Sequence, residues 1–228
     1  MRIAEIYRSV QGEGFLTGAE SVFVRTSGCN LRCWYCDTPY ASWTPEGQDQ
    51  SLDEVLAQLD LLACDHVVLT GGEPMLFAEL TPLTGELRRR GKHITIETAG
   101  TRHLPVECDL MSISPKLSGS APAVADWPQW HAHHEQSRHV PRVVRRLVAE
   151  HPYQIKFVVD SPADCAEVEA YLADFPEIAR ARVMLMPQGR DAETLARQSD
   201  WLEPYCHANH LRYCPRKHIE WFGLVRGT

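Results

Sequence analysis

Gly28-Cys29-Asn30-Leu31-Arg32-Cys33-Trp34-Tyr35-Cys36-Asp37 places three cysteines within eight residues, spaced Cys-x3-Cys-x2-Cys. Spacing this close lets one loop wrap a single metal centre. Thiolate is the ligating form of cysteine, and a bound metal keeps it deprotonated. Four-iron clusters normally take four cysteine ligands. Three thiolates therefore leave one iron of a 4Fe–4S cluster open to a substrate or cofactor chelate. The competing reading is zinc held by three cysteines and a remote ligand. Structural zinc usually pairs two short knuckles, and Cys206 and Cys214 are too far apart to form the second. The other five cysteines, Cys64, Cys108, Cys165, Cys206 and Cys214, are scattered and read as buried thiols. Eight cysteines in a reducing compartment are not four disulfides.

Outward from the loop, strands and helices alternate. Ile3–Val10 has strand character and ends at Gln11-Gly12-Glu13-Gly14, a tight turn that lets a ligand approach backbone. Ser21–Thr26 is a second strand, rich in β-formers, and leads into Gly28. Ser51 caps a helix, with Glu54 at the reach-back position and Val55, Leu56, Leu59 and Leu62 on its apolar face. A strand at His66–Thr70 runs into Gly71-Gly72-Glu73-Pro74. A helix over Glu79–Arg90 is stopped by Gly91. Strands follow at His93–Thr98 and Asp109–Ser114. Ser118–His139, polar and rich in histidine, shows no period and is expected to be a loop or lid. Beyond it come a helix (His139–His151), a strand (Gln154–Val159), a helix (Ala163–Ala173), a strand (Arg182–Met186) and a helix (Asp191–Cys206). About six βα units imply a parallel sheet with functional loops at the strand C-terminal ends. A closed eight-unit barrel takes about 250 residues. The expectation for residues 1–228 is therefore a single α/β domain, a partial (β/α)6 barrel with an N-terminal strand extension.

Composition narrows the partners. Of 228 residues, 44% are hydrophobic, enough for a sizeable core. The net charge of -7 disfavours nucleic acid, since an acidic chain gains little from counterion release. Arg88–Arg90, and Arg142, Arg145 and Arg146, read as solvated helix faces. No leader-like apolar stretch opens the sequence, and no apolar run approaches the roughly 18 residues of a membrane span. A cytoplasmic protein with no membrane partner is expected.

The cysteine spacing after one strand, with Gly71-Gly72-Glu73-Pro74 after a later one, resembles the radical S-adenosylmethionine (SAM) superfamily. The likeness covers nearly the whole chain. It implies a barrel of the radical SAM type in which the methionyl amine and carboxylate of SAM chelate the open iron. Further motifs are Ser9-Val10-Gln11-Gly12-Glu13-Gly14, Cys36-Asp37-Thr38, Glu97-Thr98-Ala99-Gly100-Thr101 and Ser114-Pro115-Lys116-Leu117-Ser118. These resemble the 7-carboxy-7-deazaguanine synthase family, which acts in biosynthesis of 7-deazapurines such as queuosine. The resemblance implies radical ring contraction of 6-carboxy-5,6,7,8-tetrahydropterin with loss of ammonia. SAM is regenerated, magnesium is required, the assembly is a homodimer, and flavodoxin or ferredoxin is the electron donor.

On that resemblance Cys29, Cys33 and Cys36 hold the cluster. Tyr35, Cys36, Asp37, Gly72, Glu73, Glu97, Ser114, Pro115, Lys116 and Gln188 contact SAM, and Thr38 ligates magnesium. Val10, Gln11, Gly12, Glu13, Arg25, Thr70 and His218 contact the pterin. The chemistry is consistent. Arg25 offers a carboxylate a bidentate fork, and Glu13 can accept from the adjacent N–H groups of a guanidine-like ring edge. The plainer alternatives are a strand-end ion pair for Arg25, a solvated turn for Gln11 and Glu13, and a cap or turn hydroxyl for Thr38. A possible metal cluster at His131, His133 and His134 stands against a solvated loop. Two departures from the family pattern are visible: Ala at position 99, where Asn is expected, and ten residues after His218. Other classes in play are a glycyl-radical activating enzyme, which would need a groove for a protein substrate, and a non-catalytic iron–sulfur or zinc module.

Overall fold

The computed structural model describes all 228 residues. Its strands are β1 (Arg2–Val10), β2 (Glu20–Thr26), β3 (Gln48–Asp49), β4 (His66–Gly71), β5 (His93–Thr98), β6 (Leu110–Ile113), β7 (Tyr153–Val159), β8 (Val183–Pro187) and β9 (Arg212–Tyr213). Its helices are α1 (Pro39–Ser42), α2 (Leu52–Leu62), α3 (Leu80–Arg89), α4 (Pro128–Ser137), α5 (Pro141–Glu150), α6 (Pro162–Asp174), α7 (Ala192–Ala208) and α8 (Lys217–Phe222).

All strands join one sheet in the order β3-β1-β2-β4-β5-β6-β7-β8-β9. From β2 to β9 every neighbour is parallel, while β1 runs antiparallel to both β2 and β3. The two edges, β3 and β9, do not meet, so the sheet is an unclosed barrel with an N-terminal antiparallel extension, as the alternating pattern implies. Parallel strands covered on both faces read as near-continuous apolar runs. β8 accordingly buries all of Val183–Pro187, and 39 buried residues form the main core.

Local chemistry sets the helix ends. Ser51 Oγ accepts from the Glu54 N–H at 3.3 Å, and Glu54 Oε2 accepts from the Ser51 N–H at 2.8 Å, closing the expected capping box on α2. Gly91, at φ +70°, follows the end of α3 in the left-handed conformation that terminates helices.

Ser118–His139 corrects the expectation of a loop. A 3-10 turn at Ser118–Ser120 is followed by α4, with Pro128 in its first turn. The segment shows no apolar period because α4 buries a single residue, His134. Polar contacts seat it on the cysteine loop. His134 Nδ1 accepts from the Arg32 N–H at 3.1 Å, so Nε2 carries the proton and donates to Ser120 Oγ at 2.8 Å. The Arg32 guanidinium lies 4.0 Å from the Trp130 ring centre. His131 faces Pro122 O at 2.8 Å and His133 faces Asn30 O at 3.1 Å. The three histidines have three separate partners and no common point, so they form no metal cluster. No helix of the chain is long and apolar enough to cross a membrane.

Candidate active site

Side chains on the concave face of the sheet line a cavity of about 310 Å3. Strand register stacks them: Arg25 on β2 lies opposite Thr70 on β4, and Glu97 on β5 lies opposite Ser112 on β6. Thr70 Oγ1 donates to Glu97 Oε2 at 2.9 Å across this layer. Loops at the strand C-terminal ends form the rest of the wall: Cys29–Thr38 after β2, Gly71–Gly72 after β4, Ala99 after β5, Ser114 and Lys116 after β6, and Gln188 after β8.

All three cluster-loop cysteines reach the cavity as free thiols. Burial pushes the Cys29 thiol up to about 12 and the Cys33 thiol up to about 11. Neither ionises readily on its own, so a positive centre is needed to hold them as thiolates. No three His, Cys, Asp or Glu side chains close on one point as ligands of a single metal ion would. Thiolates that held different irons of one cluster would not need to.

The Gly71-Gly72 backbone packs against this loop. A Cβ at Gly72 would sit 2.2 Å from Gly28 O, and Gly71 holds φ at +145°. Glycine is required at both positions. Glu73 is fully buried and turns away from the cavity. Its carboxylate accepts from Thr98 Oγ1 (2.8 Å), the Ala99 N–H (2.8 Å) and the Met75 N–H (3.1 Å).

The turn after β1 is stitched across the barrel. Gln154 Oε1 accepts from the Phe15 N–H at 2.8 Å, and Gln11 Nε2 donates to Glu97 Oε1 at 3.3 Å. Lys156, on the same face of β7 as Gln154, reaches Glu13 Oε2 at 2.8 Å and Glu97 Oε1 at 3.4 Å. Burial would lower the Lys156 pKa, but the facing Glu13 and Glu97 charges overcome it and raise it. Burial likewise works against ionised Glu13, and Lys156, His218 and Arg216 outweigh it, holding the carboxyl far below the usual range.

Arg216 joins three loops from the segment after β9. Its Nη2 pairs with Asp37 Oδ2, its Nη1 donates to Gly189 O at 2.7 Å, and its Nε lies 3.5 Å from Glu13 Oε1. Asp37 Oδ1 is buried without a hydrogen-bond partner. α8 seats directly on the turn: the Lys217 N–H donates to Gly12 O at 3.0 Å, and a Cβ at Gly12 would lie 2.5 Å from His218 N.

Of the sequence-predicted residues, Val10, Gln11, Gly12, Glu13, Arg25, Cys29, Cys33, Tyr35, Cys36, Asp37, Thr38, Thr70, Gly72, Glu97, Ser114, Lys116, Gln188 and His218 all line this one cavity. Glu73 and Pro115 do not. The Glu73 oxygens are taken by backbone and Thr98, and the chain turns at Pro115 so that its neighbours Ser114 and Lys116 face in. Thr38 precedes α1 without capping it, leaving its hydroxyl to the cavity. Sequence reasoning missed Glu5, Tyr7, Lys156, Arg216 and the tail Gly223–Thr228. One signal was available: a lone lysine inside the apolar strand Tyr153–Val159 must be paired if the strand is buried.

The Radical SAM superfamily model matches residues 23–114. The chain is 47% identical over 227 residues to a 7-carboxy-7-deazaguanine synthase of Rhodopirellula baltica, covering 99% of this chain and 88% of that one. It is 40% identical to a 7-carboxy-7-deazaguanine synthase of Halobacterium salinarum, with 95% and 88% covered. Its fold matches the crystal structure of QueE from Escherichia coli at a TM-score of 0.71 and 23% identity, covering 95% of this chain and 94% of that one.

Proposed function

The chain belongs to the 7-carboxy-7-deazaguanine synthase family of radical SAM enzymes, and from that premise we infer how its cavity handles the family's substrate. The activity is radical ring contraction of 6-carboxy-5,6,7,8-tetrahydropterin to 7-carboxy-7-deazaguanine with release of ammonia, a carbon–nitrogen lyase reaction. Family membership sets aside the glycyl-radical activating and non-catalytic readings. The observation that carries the residue assignment is a single cavity shared by the cysteine loop, Gly72, the Gln11–Glu13 turn and Arg25.

The family's cofactors are a 4Fe–4S cluster and SAM, and the residues present fit them. Three partly buried thiols share one wall, the backbone at Gly72 has no room for a side chain, and Asp37 Oδ1 is buried without a hydrogen bond. Cys29, Cys33 and Cys36 would hold the cluster. Tyr35, Asp37, Gly72, Ser114, Lys116 and Gln188 would surround SAM, with Glu97 at the boundary between cofactor and substrate. Together the two cofactors supply the one-electron and hydrogen-abstraction chemistry.

The protein's own part is positioning and exclusion of water. Arg25 takes the pterin carboxylate. The Gln11–Glu13 turn and Thr70 take the ring edge, and His218, on α8, closes the side next to that turn. Reduced holoenzyme supplied with the pterin, SAM and magnesium is the test: SAM cleavage without 7-carboxy-7-deazaguanine defeats the assignment.

Thr38 is the proposed magnesium ligand. Magnesium takes hard oxygen ligands and keeps waters or substrate oxygens around it, and the Thr38 hydroxyl, on the cavity wall with only a long contact to Cys36 Sγ at 3.9 Å, suits a metal that enters with substrate. Thr38→Ala should raise the magnesium concentration for half-maximal turnover about tenfold, with cluster content unchanged. An unchanged magnesium requirement removes Thr38 from the site. A homodimer, a flavodoxin- or ferredoxin-type donor, a cytoplasmic location and a role in queuosine formation remain parts of the same proposal.

A further inference from the structure

Lys156 is a charged side chain at the centre of the cavity that the assignments above do not use. It is 3% exposed and projects from β7, two residues beyond Gln154, which anchors the Gln11–Gly14 turn through Phe15. Its ammonium binds Glu13 Oε2 at 2.8 Å and Glu97 Oε1 at 3.4 Å. A circuit results. Gln11 donates to Glu97, Lys156 bridges Glu97 to Glu13, and the Glu13 N–H donates back to Gln11 Oε1 at 3.1 Å. The other carboxylate oxygen, Glu13 Oε1, accepts no hydrogen bond. Arg216 Nε stands 3.5 Å from it and His218 Nδ1 3.7 Å.

We propose that Lys156 is the positioning residue that sets ring selectivity: it fixes Glu13 as an acceptor-only carboxylate with Oε1 turned to the substrate, so that the site takes a ring edge with two adjacent N–H donors. This rests on the pterin reading of the cavity. An ionised carboxylate accepts hydrogen bonds and donates none. A 2-amino pterin presents an amine beside a ring N–H. The 2-oxo analogue presents a carbonyl where the amine stood, opposite a fixed negative charge. A site built around such a polar match rejects the analogue strongly, because the mismatch leaves buried groups unpaired. Without Lys156, Glu13 Oε2 loses its hydrogen bond and the carboxylate can rotate towards Arg216 and His218, and the distinction would weaken.

The test compares kcat/KM for 6-carboxytetrahydropterin and for its 2-oxo analogue in reconstituted holoenzyme. Wild type should prefer the 2-amino ring by about 100-fold or more. Lys156→Met should lower kcat/KM for the pterin about 30-fold, chiefly through KM, and for the analogue by less than about threefold, so the preference collapses. Glu13→Gln should collapse it equally, and adding Lys156→Met to Glu13→Gln should reduce it no further, since Lys156 acts through Glu13. Cluster content and melting temperature report folding. If Lys156→Met does not fold, Lys156→Gln, which stays polar but loses the charge, carries the test by the same ratio. A wild-type preference retained in a folded Lys156→Met or in Glu13→Gln overturns the proposal, as does an equal loss for both rings. Wild type that turns over neither ring defeats the pterin reading instead.

Discussion

Arg25 and Glu5 are paired across β2 and β1, with Arg25 Nε donating to Glu5 Oε1 at 2.7 Å. Arg25 Nη2 donates to the Tyr7 hydroxyl at 2.9 Å, and neither bond uses Nη1. The strand-end ion pair and the substrate clamp are therefore compatible readings of one residue. Glu5 holds the fork still, and one of its prongs stays available on the cavity wall. Arg25→Ala should raise KM for the pterin about 100-fold, the cost of a charge-assisted bond in a partly buried site, and shift SAM binding by less than about threefold. Equal loss of affinity for both would show that Arg25 only supports the fold.

Glu5 has two further partners, the Tyr40 hydroxyl, which donates to its Oε1 at 2.8 Å, and Arg226. Glu5 Oε2 accepts from Arg226 Nε at 3.1 Å, and Arg226 also reaches Glu46 Oε2 at 2.9 Å and lies 4.1 Å from the Tyr40 ring centre. These contacts draw Gly223–Thr228 over the cavity mouth, although the tail itself is exposed. Of the residues after His218, Gly223–Thr228 thus form part of the cavity rim. Exposed ion pairs contribute little to stability, so Arg226→Ala should leave the melting temperature within about 2 °C. It should raise pterin KM about threefold to tenfold and increase the 5′-deoxyadenosine released per product, because the substrate is held less firmly in the reacting position. A product-to-5′-deoxyadenosine ratio identical to wild type would show that the tail does not hold the substrate in place.

The cysteine loop was legible as one unit because its three cysteines are close in sequence and reach one cavity, and the βα rhythm because each strand and helix obeys its own period. α4 was not, since a helix held by His134, Trp130 and His133 through polar and cation–π contacts leaves no apolar stripe to read. Glu73 misled for a related reason. Its motif marks a loop beside the cofactor, but only the fold shows that its carboxylate turns back onto Thr98. Arg216 carried no local signal at all: it follows a two-residue strand, and its partners Asp37 and Glu13 lie 179 and 203 positions away.

His66 makes acid stability testable. It is 8% exposed, between Ser21 Oγ and Thr95 Oγ1, each 2.8 Å away. Burial, with help from His93, pushes its pKa down to about 4. In the unfolded chain it titrates near 6.5. Between those values the unfolded state binds more protons, so folding stability is full above about pH 6.5 and falls as pH drops towards 4. The loss attributable to this residue is roughly 2–3 kcal/mol. The urea midpoint of anaerobic holoenzyme should therefore fall between pH 7 and pH 5 more steeply in wild type than in His66→Gln, in which cluster lability is common and cancels. Parallel slopes would mean that His66 is not buried neutral.

Arg216 ties the cofactor loop to the substrate turn, and its removal should be felt at both. Asp37 directly follows Cys36, the proposed cluster ligand, and has one oxygen on Arg216, while its other oxygen accepts no hydrogen bond and faces Arg190 Nε at 4.0 Å. Asp37 is partly exposed and keeps Arg190 beside its Oδ1, so the loss on removing Arg216 is smaller than for a fully buried pair, about 1.5–3 kcal/mol. Arg216→Gln should accordingly lower the melting temperature. It should also weaken the change that SAM produces in the electron paramagnetic resonance signal of the reduced cluster, a readout that general destabilisation would not move at low temperature. Asp37→Asn combined with Arg216→Gln should recover part of the stability, since the stranded charge is gone. If the double variant is no more stable than Arg216→Gln, Asp37 is not the charge that Arg216 neutralises.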